Sequence, residues 1–149
     1  MAQQGGSLRL RKLGVDALSP SSTVLMVGKR KTGKTTLTQA ICSALAKKVD
    51  FCVAFSGTDE TTQSLSQFIP PGMIYNTWRA DIVEQLMAIQ RAAGKRGKQY
   101  NILIIADDVF YDKSIFTSKT LRELMMNGRH RYVTVYYIIY NTCTYTHSH

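Results

Sequence analysis

Residues 28–35 read Gly-Lys-Arg-Lys-Thr-Gly-Lys-Thr, and they are the most informative eight residues of the chain. Gly28 and Gly33 allow a tight turn whose backbone N–H groups can approach phosphate oxygens. The spacing lets Lys34 reach the β- and γ-phosphates of a nucleotide and lets the Thr35 hydroxyl bind Mg²⁺. The other members of the predicted binding set are Lys29, Arg30, Lys31, Thr32 and Thr36. The stretch therefore predicts a loop that binds ATP and Mg²⁺.

The residues on either side fit such a loop. Thr23 to Val27 is a short run of β-forming residues that predicts a buried strand before the loop. Lys34 to Lys47 predicts a helix after it, because apolar residues recur at helical spacing. The residues expected on its core-facing side are Leu37, Ile41, Ala44 and Leu45. A helix N-terminus after the loop adds partial positive charge and backbone donors for phosphate.

The rest of the chain alternates strands and helices, which predicts right-handed crossovers and a parallel sheet. Predicted strands are Phe51–Phe55, Met73–Tyr75 at an edge, Ile102–Ala106 and Val133–Tyr140. Predicted helices are Asp81–Ala93, with Ile82, Leu86 and Ile89 on its apolar face, and Ser118–Asn127, with Leu121, Leu124 and Met125, closed by Gly128. We expect residues 59–72 to be irregular, residues 1–20 to form a lead-in, 21–140 an α/β domain, and 141–149 an irregular tail.

Two aspartates end the most apolar predicted strand. In an open α/β sheet, ligands bind beyond the carboxyl ends of the strands, so Asp107 and Asp108 should lie beside the phosphate loop. Asp107 would hold Mg²⁺ through water, and Asp108 would position or deprotonate the attacking water. A turn that merely begins with two aspartates is the structural alternative. Together with the loop, the pair predicts a three-layer P-loop nucleoside triphosphatase of the RecA-like (ASCE) class.

Composition bounds the remaining possibilities. A hydrophobic content of 44% makes disorder of the whole chain improbable, and no apolar run reaches the length of a membrane span. The formal net charge of +9 would attract polyanions, of which nucleic acid is one, or would simply describe a solvated surface. Cys42, Cys52 and Cys143 lack metal-ligand spacing, and the first two are expected to be reduced core residues.

Five blocks give the sequence a resemblance to the DNA-packaging ATPases of poxviruses and giant viruses, within the FtsK–HerA superfamily. They are Gly28–Thr35, Phe55-Ser-Gly-Thr58, Phe68-Ile-Pro70, Ile104-Ile-Ala-Asp-Asp108 and Leu121-Arg-Glu-Leu-Met-Met-Asn-Gly-Arg-His130. The resemblance implies an oligomeric, ring-forming ATPase that moves double-stranded DNA into a capsid and contacts capsid components. It further implies a location in the host cytoplasm or virus factory, or in the virion.

Three features leave alternatives open. Arg129 could act as a catalytic arginine finger, bind the DNA backbone or cap a helix, and His130 is expected to be structural. In the family a polar sensor, usually glutamine, ends the strand after this block; here that place falls at Tyr140 or Asn141, and the sheet is expected to lack a last strand. A nucleotide-binding module without turnover and a small-molecule P-loop kinase therefore remain alternatives to a motor. The basic turn containing Lys95, Arg96 and Lys98 either contacts DNA or is solvated.

Overall fold

The computed structural model describes residues 14, 17–19, 21–29, 31–110 and 112–128, together with the backbone of residues 133–140. Its strands are β1 (Thr23–Gly28), β2 (Phe51–Ser56), β3 (Ile74–Tyr75), β4 (Ile102–Asp107) and β5 (Val133–Tyr140). Its helices are α1 (Lys34–Leu45), α2 (Asp59–Leu65), α3 (Ala80–Gly94), α4 (Ser114–Thr117) and α5 (Lys119–Asn127), and a 3₁₀ turn spans Pro71–Met73.

The described strands form one sheet in the order β1-β5-β4-β2-β3. Every neighbouring pair is parallel. The carboxyl ends of all strands therefore meet at one edge of the sheet, which we call the carboxyl edge; the opposite one is the amino edge. β2 follows β1 in the sequence but is not its neighbour in the sheet, because β5 and β4 lie between them.

Helices cover both faces of the sheet. One face packs against α3 and α5, and the other against α1 and α2. Residues 102–107 of β4 are buried throughout, as expected for a central parallel strand covered on both sides. The buried core of the first face comprises Val53, Phe55, Val83, Met87, Ile102, Ile104, Ala106, Val109, Leu121 and Leu124. That of the second comprises Met26, Ile41, Cys42, Leu45, Ala54, Leu65, Ile69, Leu103 and Ile105. The predicted α/β architecture with a parallel sheet is thus confirmed.

The expected character of two cysteines is also confirmed. Cys42 is buried, Cys52 is half-buried, and both are free thiols. Burial raises the pKa of Cys42 to about 12, and burial together with the neighbouring Cys42 raises that of Cys52 to about 12. Both therefore stay protonated at neutral pH and behave as small apolar residues of the core.

The prediction that residues 59–72 are irregular was wrong for the first half of this segment, which forms α2. Thr58 caps this helix, because its side chain accepts a hydrogen bond from the Thr61 N–H at 3.4 Å. Asp59 and Glu60 in the first turn complement the positive end of the helix dipole. The segment contains a capped helix too short for apolar periodicity to reveal.

In α1, α3 and α5 the buried residues also differ from those that the apolar periodicity predicts. Leu37 and Met125 are exposed, whereas their partners Ile41, Leu45, Leu121 and Leu124 are buried. In α3 the buried face is Val83, Met87, Gln90 and Ala93. Of the predicted apolar face, Ile82 and Leu86 are partly buried beside the core, whereas Ile89 is exposed. Gln90 holds a buried position because its amide donates to the Tyr100 carbonyl at 2.6 Å and accepts from the Tyr100 N–H at 3.1 Å.

Candidate functional site

The loop between β1 and α1 is a tight turn that depends on small residues. Gly33 has a φ of 83°, in the left-handed region that favours glycine, and Lys31 is also left-handed at 61°. At Gly28 an added Cβ would lie 3.0 Å from Thr32 Oγ1 and 3.8 Å from the end of the Lys34 side chain. Thr32 Oγ1 in turn donates to the Lys29 carbonyl at 2.8 Å. The loop is therefore closed on itself by internal contacts.

Lys34 crosses this loop with its side chain largely buried. Its residue is 8% exposed, and its ammonium donates to the Gly28 carbonyl at 2.8 Å and to Thr32 Oγ1 at 3.2 Å. It also donates to the Lys29 carbonyl. A buried ammonium is held by acceptors that compensate its lost hydration. The chain thus holds a positive charge within the loop, and the predicted contact of Lys34 with phosphate stays a prediction.

The start of α1 fits an anionic group. The Leu37 N–H donates to the Gly33 carbonyl at 3.0 Å, and the amides of Thr35 and Thr36 precede this first turn of hydrogen bonding. No side chain caps the helix, and no acidic residue lies in its first turn. A cavity of about 230 Å³ opens here, lined by Lys31, Gly33, Lys34, Thr35 and Thr36. These donors, with open space above Gly33, fit the phosphates of a nucleotide.

Asp107 and Asp108 lie at the same edge of the sheet as the loop. Asp107 pairs with Ile138 of β5, which pairs with Met26 of β1. Asp107 is therefore level with Met26, two residues before Gly28. Two strand spacings, about 10 Å, separate it from β1. Asp107 is buried and Asp108 is half-buried. Thr35 and Asp107 are thus the candidate residues for Mg²⁺, which typically keeps water ligands and needs only one or two carboxylates.

The backbone of Asp108 depends on Gly57. Asp108 has a φ of 51°, an uncommon left-handed conformation for a non-glycine residue. A Cβ at Gly57 would lie 2.5 Å from the Asp108 carbonyl oxygen, and the Gly57 N–H donates to the Asp107 carbonyl at 3.1 Å. The Ser56-Gly57-Thr58 segment therefore fits against the end of β4. Gly57 lies in the Phe55–Thr58 block quoted above, but its contact with Asp108 was not predicted; its position directly after a strand at this edge is the local signal.

Aromatic rings adjoin the same edge. Trp78 packs against Phe55 at 4.9 Å and against Phe110 at 5.5 Å between ring centroids, and Phe110 packs against Phe116 at 5.3 Å. Phe110 lies two residues after Asp108, so this cluster supports the segment that carries the carboxylate. Trp78 Nε1 is buried without a hydrogen-bond acceptor among the described residues. Trp78 is the single tryptophan of the chain and would report optically on this edge.

The structure brings together most of the predicted site. Gly28, Gly33, Lys34 and Thr35 share the loop and helix start with their predicted neighbours Lys29, Lys31, Thr32 and Thr36. Arg30, Arg129, His130 and Asn141 lie outside the described residues. The backbone of Tyr140 pairs with Gly28, so the expected sensor position does adjoin the phosphate loop. Among the described residues, no group of three or more His, Cys, Asp or Glu side chains is placed to hold a metal ion.

Comparison with known proteins finds relatives in viruses. Uncharacterized protein 088R of Invertebrate iridescent virus 3 is 24% identical over 139 residues, covering 86% of this chain and 53% of the relative. Uncharacterized protein 075L of Invertebrate iridescent virus 6 is 28% identical over 110 residues, covering 73% and 43%. Uncharacterized protein 015R of Frog virus 3 (isolate Goorha) is 26% identical over 130 residues, covering 86% and 40%. The chain spans about half the length of these curated relatives.

No protein-family model and no solved structure matches the chain. Within the described part of the chain, none of the helices is both long and apolar enough to cross a membrane.

Proposed function

We propose that this chain is a P-loop nucleoside triphosphatase domain of the RecA-like (ASCE) class. The observation that carries the proposal is the glycine loop between β1 and α1, with the Lys34 ammonium buried across it and Asp107-Asp108 at the same edge of the sheet. Within that class we propose an ATP-hydrolysing subunit of a viral motor that translocates double-stranded DNA into the capsid.

Each site residue has a distinct role in this proposal. The amides at the start of α1 and the Lys34 ammonium would bind the phosphates, and the Thr35 hydroxyl and Asp107 would hold Mg²⁺. The bound ion supplies charge stabilisation for the transferring phosphoryl group. Lys34 would exchange its carbonyl acceptors, Gly28 and Lys29, for phosphate oxygens. These acceptors hold the ammonium at the loop until phosphate oxygens replace them.

Asp108 would act on water. Its half-buried position keeps it in contact with solvent, whereas Asp107 is enclosed. A carboxylate that orients and deprotonates an attacking water typically contributes 10²–10⁴-fold to the rate. The division of labour between neighbouring aspartates follows from this difference in exposure: the buried one suits a fixed ion, and the accessible one suits a mobile water.

The motor part of the proposal draws on other observations. The relatives are viral proteins, the chain carries a formal net charge of +9, and its blocks resemble those of packaging ATPases. We propose a homo-oligomeric ring in which Arg129 acts on the site of a neighbouring subunit, with capsid components as further partners. The proposed location is the host cytoplasm or virus factory, with the virion as a second place to look.

Steady-state hydrolysis tests the proposal. We expect purified protein to hydrolyse ATP with Mg²⁺, hydrolysis to rise when double-stranded DNA is added, and Lys34→Ala to abolish it. Lys113→Ala is the matched control, because Lys113 is an exposed lysine outside the site and should leave the rate unchanged. Hydrolysis that ignores DNA would remove the motor, and formation of a phosphorylated small-molecule acceptor would show a kinase instead.

One observation favours a second candidate, a nucleotide-binding module without efficient turnover. Tyr140 pairs with Gly28, at the place where the resemblance puts a polar sensor of the γ-phosphate, and a phenol cannot replace a glutamine amide there. Tight ATP binding with no hydrolysis, at high protein concentration and with DNA present, would support this candidate over the motor.

A further inference from the structure

A second charged region lies at the amino edge of the sheet. Both α1 and α3 run back from the carboxyl edge and end there, and each is followed by a basic turn. The exposed cations of these turns are Lys47 and Lys48 after α1, and Lys95, Arg96 and Lys98 after α3. We call these five residues the amino-edge surface. The nucleotide site lies about 20 Å away, the length of the six-residue strand β4.

The segments that follow the two basic turns are joined to each other by hydrogen bonds. The Asp50 N–H donates to the Asn101 carbonyl at 2.8 Å, and the Asn101 N–H donates to the Asp50 carboxylate at 2.7 Å. Beside this junction Phe51 and Tyr100 pack edge to face, with centroids 5.2 Å apart. Both turns therefore lead into the paired starts of β2 and β4, which brings the five cations to the same end of the sheet.

Acidic residues are almost absent from this surface. Asp50 is the one described carboxylate on the segments 46–51 and 95–102, and it accepts the Asn101 N–H. None of the five cations forms an ion pair with a described carboxylate; the ion pairs between described residues are Arg79–Asp81 and Arg91–Glu123. The other described acidic residues lie towards the carboxyl edge or along the helices: Asp59, Glu60, Asp81, Glu84, Asp107, Asp108, Asp112 and Glu123. Among the described residues, net positive charge is thus concentrated at the amino edge.

Helix dipoles do not account for the cluster. Cations stabilise a helix C-terminus mainly from within its last turn, and the last turn of α1 has none while that of α3 has Arg91. Nor does the surface suit a lipid bilayer, since membrane-surface helices bury an apolar face and the apolar faces of α1 and α3 pack on the sheet. Clustered, unpaired cations on rigid turns instead match the phosphate backbone of nucleic acid.

We propose that the amino-edge surface binds the phosphate backbone of double-stranded DNA without reading its sequence. This deepens the proposed function and rests on it for the identity of the polyanion. Phosphate contacts carry no base information, which suits a translocating motor that must move along any sequence. DNA would then bind at the opposite end of the sheet from ATP, and the strands and helices that span the two edges would connect the sites.

Fluorescence anisotropy with a labelled 30-base-pair duplex, without nucleotide and over a range of KCl concentrations, tests this surface. Each phosphate-bound cation contributes about one unit to the slope of log K against log salt. We expect Lys95→Gln/Arg96→Gln/Lys98→Gln to reduce the slope by about 3, and Lys47→Gln/Lys48→Gln by about 2. The matched control, Lys113→Gln/Lys119→Gln at the other edge, should leave the slope unchanged.

Several outcomes would overturn the proposal. A triple variant with the wild-type slope, or a control variant that loses as much as the double variant, would show that net charge alone attracts DNA. Binding of the wild type to vesicles containing phosphatidylserine but not to the duplex would assign the surface to a membrane. Thermal melting of each variant shows whether it folds. Because the assay contains no ATP, loss of DNA binding in the variants would uphold this surface even if the protein hydrolyses nothing.

Discussion

The two edges of the sheet depend on different kinds of interaction. At the carboxyl edge, function depends on backbone geometry: left-handed residues at Lys31, Gly33 and Asp108, a buried ammonium, and a close approach at Gly57. At the amino edge, the amino-edge surface consists of exposed side chains that have only their charge in common. The first edge should tolerate almost no change of shape, whereas the second should tolerate any change that keeps its charge.

The interactions at the two edges also act over different distances. Close contacts act over a few ångströms, and exposed charges are screened over about 8 Å at physiological ionic strength. The edges are about 20 Å apart along β4, so in the absence of DNA a charge at one edge should not act directly on a ligand at the other. Three substitutions test this contrast.

Replacing the accessible aspartate should have the largest effect. We expect Asp108→Asn to lower kcat by about 10²–10⁴-fold, because a neutral amide cannot accept the proton of water. The dissociation constant for ATP should change by less than about threefold, since phosphate binding is assigned to the loop. Single-turnover hydrolysis measures the first quantity and calorimetry the second.

The control for Asp108→Asn is Asp112→Asn. Asp112 is exposed, and the Ser114 backbone N–H that donates to it lowers the pKa of its carboxyl group. It is therefore a charged aspartate that lies outside the site, and its substitution should leave kcat unchanged. Equal losses in both variants would mean that charge near this edge, and not a positioned base, controls the rate.

Gly57→Ala should have the next largest effect and tests shape alone. Its methyl group would lie 2.5 Å from the Asp108 carbonyl oxygen, so the backbone of one segment must move. Overpacking of this kind typically costs about 1–3 kcal/mol of stability, and a displacement of about 1 Å can cost about 10²-fold in rate. We expect kcat to fall by about 10–10²-fold with a shift in Trp78 fluorescence, because Trp78 packs on Phe110 beside Asp108.

Gly94→Ala is the control for that substitution. Gly94 ends α3, has no positive φ, and has nothing within 4 Å of an added Cβ. Alanine should therefore be neutral or stabilise the helix by about 0.5–1 kcal/mol. If Gly57→Ala hydrolyses ATP like the wild type, Asp108 does not need its left-handed conformation and the contrast between the edges weakens.

Substitutions at the amino edge should have the smallest effect on nucleotide binding. We expect Lys47→Gln/Lys48→Gln to change the dissociation constant for ATP by less than about twofold, because the distance exceeds the Debye length more than twice. Isothermal titration at 0.15 M salt checks this. A tenfold weakening would show that the two edges share one electrostatic field or are coupled through α1, and it would break the comparison.

Local features were predictable from the sequence where they depend on local chemistry. Residues 28–35 alone are sufficient to predict the glycine loop. The unbroken apolar run before Asp107-Asp108 predicts β4. Both lie where the sequence placed them, at the carboxyl ends of parallel strands. The nucleotide, metal and catalytic roles of these residues stay predictions.

Features that depend on long-range contacts were not predictable. Gly57 matters through Asp108, 51 positions further along the chain. Gln90 replaces an apolar residue in the core because Tyr100 offers it two backbone partners. Leu37 has correct helical spacing but lies beside β1, the edge strand of the described sheet, where Leu25 and Val27 are exposed as well. Periodicity predicts which side of a helix is apolar, but it does not predict how far the sheet extends beneath that side.

Calorimetric titration of Mg²⁺·ATP into the wild type and into Lys34→Met tests the central claim most directly. Methionine keeps the unbranched shape of the buried side chain and removes only its ammonium, and thermal melting confirms that the variant folds. We expect the wild type to bind one ATP per chain and the variant to lose at least about 10²-fold in affinity, since a charge-assisted hydrogen bond to phosphate is removed in a largely buried setting. Equal binding by both proteins, or none by the folded wild type, would contradict the assignment of this loop as a nucleotide site.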